Sequence, residues 1–323
     1  MKEEFLNGEY INQPKLNKTY IDTLTGEELM LTIVVNPEAI KYIEDPSLEL
    51  QLLSISGSHY LSNNDSIQYI KHPCLEVQLA AVRQNGYAIA HISDPCLEVQ
   101  LAAVSQNGYA IQYIKDPCLE VQLAAVQENG WAIEYIVDPS PEIQLAAVQQ
   151  RGDAIEYIDT PCLELQLMAV AYNVHSIQYI RHPFLEVQLA AVQQHGSAIA
   201  HIIDPCLEVQ LAAVIQNGNF IRYIDHPSPK VQLAAVQQCG DAIKHIHHPN
   251  IEVQKLAISR SIKNALYITD ISADIRDLII LKINNEQTYT TIYLTSINKL
   301  LENSTISSTD LNDNVKLLLE LNE

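Results

Sequence analysis

Residues 95–116 read Pro-Cys-Leu-Glu-Val-Gln-Leu-Ala-Ala-Val-Ser-Gln-Asn-Gly-Tyr-Ala-Ile-Gln-Tyr-Ile-Lys-Asp, and this stretch decides the fold. Its flanks repeat it. Pro73, Pro95, Pro117, Pro139, Pro161, Pro183, Pro205 and Pro227 follow one another at a 22-residue interval without a gap. A fixed period of this size marks stacked supersecondary units, each too small to bury its own apolar face. Counting from the proline as position 1, apolar residues fall at positions 3, 5, 7, 8, 9 and 10 (Leu97, Val99, Leu101, Ala102, Ala103 and Val104). Spacings of three and four predict a helix with a wide apolar face.

Proline suits the first turn of that helix. Where a second proline follows, at Pro141 and Pro229, the preceding Ser140 and Ser228 are the expected N-caps. Asn-Gly at positions 13 and 14 stops the helix, glycine being the usual residue just past a C-terminus. Positions 16, 17 and 20 (Ala, Ile, Ile) then predict a second helix of under two turns, too short to stand without stacking. Asp-Pro turns into the next repeat. Leu145, in a middle repeat, reads as core, so that Leu145→Asp is expected to break the array.

Degenerate copies extend the register. Residues 24–45 and 249–270 form capping repeats, the latter with Lys255 at a core leucine place, as terminal repeats with polar faces do. Residues 46–72 form a copy lengthened by an insertion near Ser56–Asn64. Residues 271–323 lose the period but keep helical spacing, as in Leu278-Ile279-Ile280-Leu281 and Leu317-Leu318-Leu319, and read as a helical C-terminal cap of two or three helices. Residues 1–23 read as a polar arm. The fold class expected is an all-α, right-handed solenoid of about eleven two-helix repeats over residues 24–270.

The pattern Asp-Pro-x-x-Glu-Val-x-Leu-Ala-Ala-Val-x-x-Asn, followed by a short helix, resembles the leucine-rich-variant repeat. It also resembles Leu-Ala-Ala-Val-x-x-Asn-Gly repeats of bacterial and phage proteins, and HEAT-like solenoids more distantly. The first resemblance implies alternating α and 3₁₀-like helices in a right-handed superhelix. The present repeat is shorter and carries Gln where that family has a basic residue after Val. The likeness covers roughly residues 24–270 and speaks to architecture, hardly to activity. A phage origin would favour an inhibitor aimed at a host defence protein.

Composition narrows the function classes. A formal net charge of −20 repels phosphate backbones, so direct nucleic-acid binding is not expected. An acidic chain can instead attract a basic partner or occupy a basic groove. Cys74, Cys96, Cys118, Cys162 and Cys206 share position 2 of their repeats. Neighbouring rungs at about 8–10 Å hold such thiols too far apart for disulfides or a shared zinc ion. Reduced cysteines, the absence of an apolar run after Met1 and the absence of a long apolar segment lead to the expectation of a cytoplasmic chain without signal peptide or membrane span.

Gln at position 6 of each full repeat (Gln78 through Gln254) could grip an extended backbone, but stacked amides that bond each other or a neighbouring turn explain it more simply. Glu at position 4 suits a helix N-terminus. His245, His247 and His248, with Cys239 and His226, sit at places the repeat already explains, so no metal and no cofactor are expected. No Gly-rich phosphate loop or zinc signature is present, and repeated residues make a poor unique active site, so the chain reads as no enzyme. Positions 15 and 19 carry large side chains in three consecutive repeats: Tyr87 with His91, Tyr109 with Tyr113, and Trp131 with Tyr135. Read as α-helical neighbours one turn apart, they form an aromatic stripe suited to anchoring a protein partner. Glu128, Glu134, Asp138, Asp153, Glu156 and Asp159 add acid beside it. The expected function is a protein-binding scaffold or inhibitor whose partner has a basic or extended surface. The alternatives are an acidic nucleic-acid mimic and a nucleotide sponge.

Overall fold

A computed structural model describes residues 16–57, 66–286 and 291–320. The chain is an all-α repeat solenoid with no strand among the described residues. It divides into two compact units, residues 1–160 and 161–323. The insertion expected near Ser56–Asn64 lies almost wholly outside the described residues.

In the first unit the α-helices Leu48–Ser56, Leu75–Gln84, Leu97–Gln106, Leu119–Glu128 and Pro141–Gln150 pack each on the next. A second layer of 3₁₀ helices, Gly86–His91, Gly108–Tyr113, Gly130–Tyr135 and Gly152–Tyr157, stacks in the same order. At the N-terminal end, the turn of helix Lys18–Ile21 buries Ile21 against Ile33 and Ala39. The second unit repeats the pattern with α-helices Leu163–Tyr172, Leu185–Gln194, Leu207–Gln216, Pro229–Gln238 and Ile251–Arg260, each followed by a six-residue 3₁₀ helix. Its cap is helical, as expected: helix Ala273–Asn284 continues the α layer and helix Thr291–Glu302 packs on the 3₁₀ helix Ile262–Tyr267. Helix Asp313–Glu320 completes it. Among the described residues no helix is long and apolar enough to cross a membrane.

Helix starts differ from the reading of proline as a first-turn residue. In the Pro95 repeat Cys96 is the N-cap and Leu97 the first helical residue, so Pro95 stands one place before the cap. Pro141 and Pro229 do occupy the first turn of their α-helices, behind Ser140 and Ser228. The residue ahead of the proline takes a left-handed conformation at Asp94 (φ 54°), Asp116 (φ 49°) and Asp138 (φ 48°). Asp tolerates that region better than most residues, which accounts for its recurrence there. The position 6 amide then closes the corner: Gln100 Nε2 donates to the Pro95 carbonyl at 2.8 Å, and Gln78, Gln122 and Gln144 do the same in their repeats. That spends the amide's donor on a turn, as the simpler reading of the glutamine column had it.

The buried stripe is narrower than the apolar pattern. Val99, Ala103 and Val104 are fully buried, as are Ala110 and Ile111 of the 3₁₀ layer. Leu97 and Leu119 are 45% and 48% exposed, and Leu145, expected in the core, is 39% exposed. Positions 5 and 9 lie one turn apart with 10 beside them, and that face meets the 3₁₀ layer. The leucines at 3 and 7 lie on the flank of the same helix, partly in solvent. Ile143→Ala should therefore cost about 2–5 kcal/mol through lost burial and a cavity, and Leu145→Asp less than half of that. Urea unfolding of both variants followed by circular dichroism checks the order; a larger loss in Leu145→Asp would overturn the assignment.

Candidate functional site on the 3₁₀ face

The site is built on a contact between the glycine just past the long helix and the next repeat. Glycine at position 14 has no positive φ. A Cβ on Gly108 would lie 2.5 Å from the Ala125 carbonyl of the next repeat, and one on Gly130 would lie 2.6 Å from the Ala147 carbonyl. The glycine is there because the following helix presses on it. Its N–H is taken by position 12 of that helix: Gly86 N donates to Gln106 Oε1 at 2.6 Å, Gly108 N to Glu128 Oε2 at 2.7 Å, and Gly130 N to Gln150 Oε1 at 2.8 Å. The second unit repeats this at Gly196 with Gln216 and Gly218 with Gln238.

Position 13 starts the 3₁₀ helix. Asn107 and Asn129 are in extended conformation (φ −155° and −144°), and each side-chain carbonyl accepts the N–H two residues on, from Tyr109 and Trp131. In a 3₁₀ helix positions three apart eclipse, so residues 15 and 19 of one repeat do not stack on each other as α-helical spacing predicted. The rings pair between repeats instead. Tyr87 meets Tyr113 edge-to-face with centroids 5.9 Å apart, and Tyr109 meets Tyr135 at 6.0 Å. In the second unit His175 and His201 occupy the same two positions, edge-to-face at 6.3 Å. The aromatic stripe therefore exists, with its partners one repeat apart.

The rings are half in solvent. Tyr87, Tyr113 and Tyr135 are 36%, 49% and 40% exposed, while Tyr109 and Trp131 are half-buried. His91 is exposed at the first rung. Tyr157, which the sequence reading did not single out, extends the row at 38% exposure. Arg151, also not singled out, lays its guanidinium carbon 3.7 Å from the Trp131 ring centroid. Its Nε and Nη2 donate to the two carboxylate oxygens of Asp153 at 3.1 and 3.3 Å. Those bonds to Asp153 hold the guanidinium pKa above its ordinary value. Desolvation, and then the charge of Glu134, raise the Tyr135 phenol; the Tyr157 phenol rises for the same reasons, with Glu156 added. Both rings therefore stay neutral at physiological pH.

The acidic residues divide. Glu134 and Glu156 are exposed next to the phenols and are available to a partner. Glu128 is exposed and gives one carboxylate oxygen, Oε2, to the Gly108 N–H. Asp138 occupies the left-handed turn before Pro139, and Asp159 is exposed in the turn ending its repeat. Asp153 is held by Arg151. Among the described residues no group of three or more His, Cys, Asp or Glu is placed to hold a metal. No protein-family model, curated protein or solved structure matches the chain.

Two outcomes test this geometry. Glu128→Gln, which installs the residue found at the same place in neighbouring repeats, should leave stability unchanged. Glu128→Ala, which strands a buried N–H, should cost about 1–3 kcal/mol and raise amide exchange at Gly108. Equal melts for the two variants would remove the ladder. For the rings, a double-mutant cycle of Tyr87→Ala and Tyr113→Ala should show a coupling of about 0.5–1.5 kcal/mol. The cycle of Tyr109→Ala and Tyr113→Ala, within one repeat, should show less.

Proposed function

We propose that the chain is a non-enzymatic protein-binding scaffold whose partner docks on the 3₁₀ face of residues 86–157. The observation that carries this reading is the row of half-exposed rings Tyr87, Tyr113, Tyr109, Tyr135 and Trp131, bordered by Glu134 and Glu156. Tyr and Trp offer large contact area with few rotatable bonds and are the commonest interface anchors. The glycine–carbonyl stacking holds them at fixed places before binding, which lowers the ordering cost of association. The carboxylates and the net charge of −20 favour a partner with a basic surface. Alternation of α and 3₁₀ helices fits the architecture of leucine-rich-variant repeats.

The same charge favours one second reading, an acidic mimic that fills the nucleic-acid groove of a basic protein. Affinity capture from a lysate of the source cell separates the two. The double variant Trp131→Ala/Tyr109→Ala should lose the captured protein, with a binding loss above about 1 kcal/mol by calorimetry. Retention of the same protein by the double variant would remove the aromatic face from the function. If capture instead vanishes between about 0.05 and 0.5 M salt, and nucleic acid competes for it, the mimic reading holds.

A further inference from the structure

The row of rings contains one place where the repeat breaks its own rule. Asn85, Asn107 and Asn129 in the first unit, and Asn173 and Asn217 in the second, each cap a 3₁₀ helix from position 13. At the corresponding place stands Arg151, which makes no side-chain cap. The side chain turns back onto the preceding repeat and covers the indole of Trp131, the chain's one tryptophan. Two residues on, Asp153 stands where the three preceding repeats carry Tyr or Trp, and it clamps the guanidinium through two parallel bonds. A guanidinium is thus held as proteins commonly hold one, with its plane on an aromatic face and its edge on a carboxylate. Arg151 nevertheless reaches this place from the surface, with its side chain 40% exposed. Rotation of that side chain alone would vacate the seat without moving backbone. Glu134, exposed beside Tyr135, keeps the surrounding surface acidic.

We propose that Trp131 and Asp153 form a seat for a partner's arginine, and that Arg151 is the resident occupant which an arginine-bearing basic segment displaces on docking. The proposal rests on the scaffold reading and names the chemistry its partner presents. Arg151 then sets a threshold: a segment must supply its own guanidinium, with flanking cations for Glu134 and Glu156, before it displaces the one already bound. Lysine fits the seat less well, since an ammonium cannot lie flat on the indole and bond both carboxylate oxygens at once.

Arg151→Asn tests this directly, because it installs the capping residue of the neighbouring repeats while emptying the seat. Blocked tetra-arginine, tetra-lysine and tetra-citrulline peptides serve as probes in the intact chain, with Trp131 fluorescence and calorimetry as readouts. Arg151→Asn should bind tetra-arginine about tenfold more tightly than wild type, with a change in Trp131 emission. Adding Asp153→Asn should abolish the gain. Tetra-citrulline, neutral but of the same shape, should not bind. Lys115→Gln removes one positive charge from an exposed turn and should give no comparable gain. Arg151→Gln supplies a second route to the empty seat should Arg151→Asn lose its circular dichroism signal. Equal tetra-arginine affinities in wild type and the emptied variants would overturn the proposal, as would an equal gain for tetra-lysine or for Lys115→Gln. A cellular partner that still depends on Trp131 and Tyr109, in the face of such a result, would leave the scaffold reading standing and remove only the arginine seat.

Discussion

The rungs at Gly86, Gly108, Gly130 and Gly218 share one close approach. The backbone of the glycine lies against the carbonyl of an alanine in the following repeat, with no room for even a Cβ on the glycine. The N–H of the same glycine is buried by that approach, so it needs an acceptor, and position 12 of the incoming helix provides it. Removing either part damages the other. A side chain on the glycine would push the helix away and strand the N–H, and loss of the position 12 acceptor would leave a buried donor at the tightest point of the stack. Alanine at position 9, Gln or Glu at position 12 and glycine at position 14 are therefore one device spread over two repeats.

That device fixes more than the core. The 3₁₀ helix begins at the glycine, so the spacing between successive glycines is also the spacing between successive position 15 and 19 side chains. Rings placed on such a frame meet edge-to-face across repeats without any need for individual positioning. In the second unit imidazoles stand at His175 and His201 where phenols stand at Tyr87 and Tyr113, and the 3₁₀ helix of His175 opens on Val174, so the pairing follows the repeat and not the glycine alone. The second unit also carries Arg222 stacked on Tyr223, and Lys244, at the helix position that holds Glu134 and Glu156 in the first. The core repeats almost without change while the outward positions of the 3₁₀ layer differ from rung to rung, and on the proposed scaffold reading specificity resides there.

The fold was legible in the sequence because the period is exact over eight repeats and the two helices differ in apolar spacing. The helix stops at Asn-Gly as expected, but only the neighbouring repeat's carbonyl explains why the residue is glycine, and a single repeat carries no sign of that neighbour. Leu97 and Leu145 belong to the apolar pattern, yet a ten-residue helix facing a thin 3₁₀ layer buries only one stripe, and pattern alone does not say how wide that stripe is. The site was legible as a set of residue types and not as a set of pairs. Tyr109 was matched with Tyr113 by α-helical spacing, whereas six 3₁₀ residues turn position 19 away from position 15 and toward the preceding repeat's ring. Glu128 is exposed, and its added bond to Gly108, twenty residues earlier, could not be read from one repeat.

Arg151 is the residue most informative about function, and it was visible as a departure from the repeat. Position 13 also goes without a side-chain cap at Cys239 and Ser261, but at Arg151 the lost cap is replaced by another interaction. The indole of Trp131 and the carboxylate of Asp153 supply it, at the point where the aromatic row is densest. A free indole face beside a carboxylate would be an open seat for any cation in solution, and a chain of charge −20 would collect many of them. Holding the seat with its own guanidinium removes that weak, indiscriminate binding while leaving the geometry in place. The free energy a partner must supply is then the difference between two similar contacts, and selectivity comes from what surrounds the seat: phenols kept neutral by desolvation and by Glu134 and Glu156, and the regular spacing of the rungs. A partner matching both would dock with several weak contacts acting together, which is how a repeat surface with no deep cavity reaches specificity.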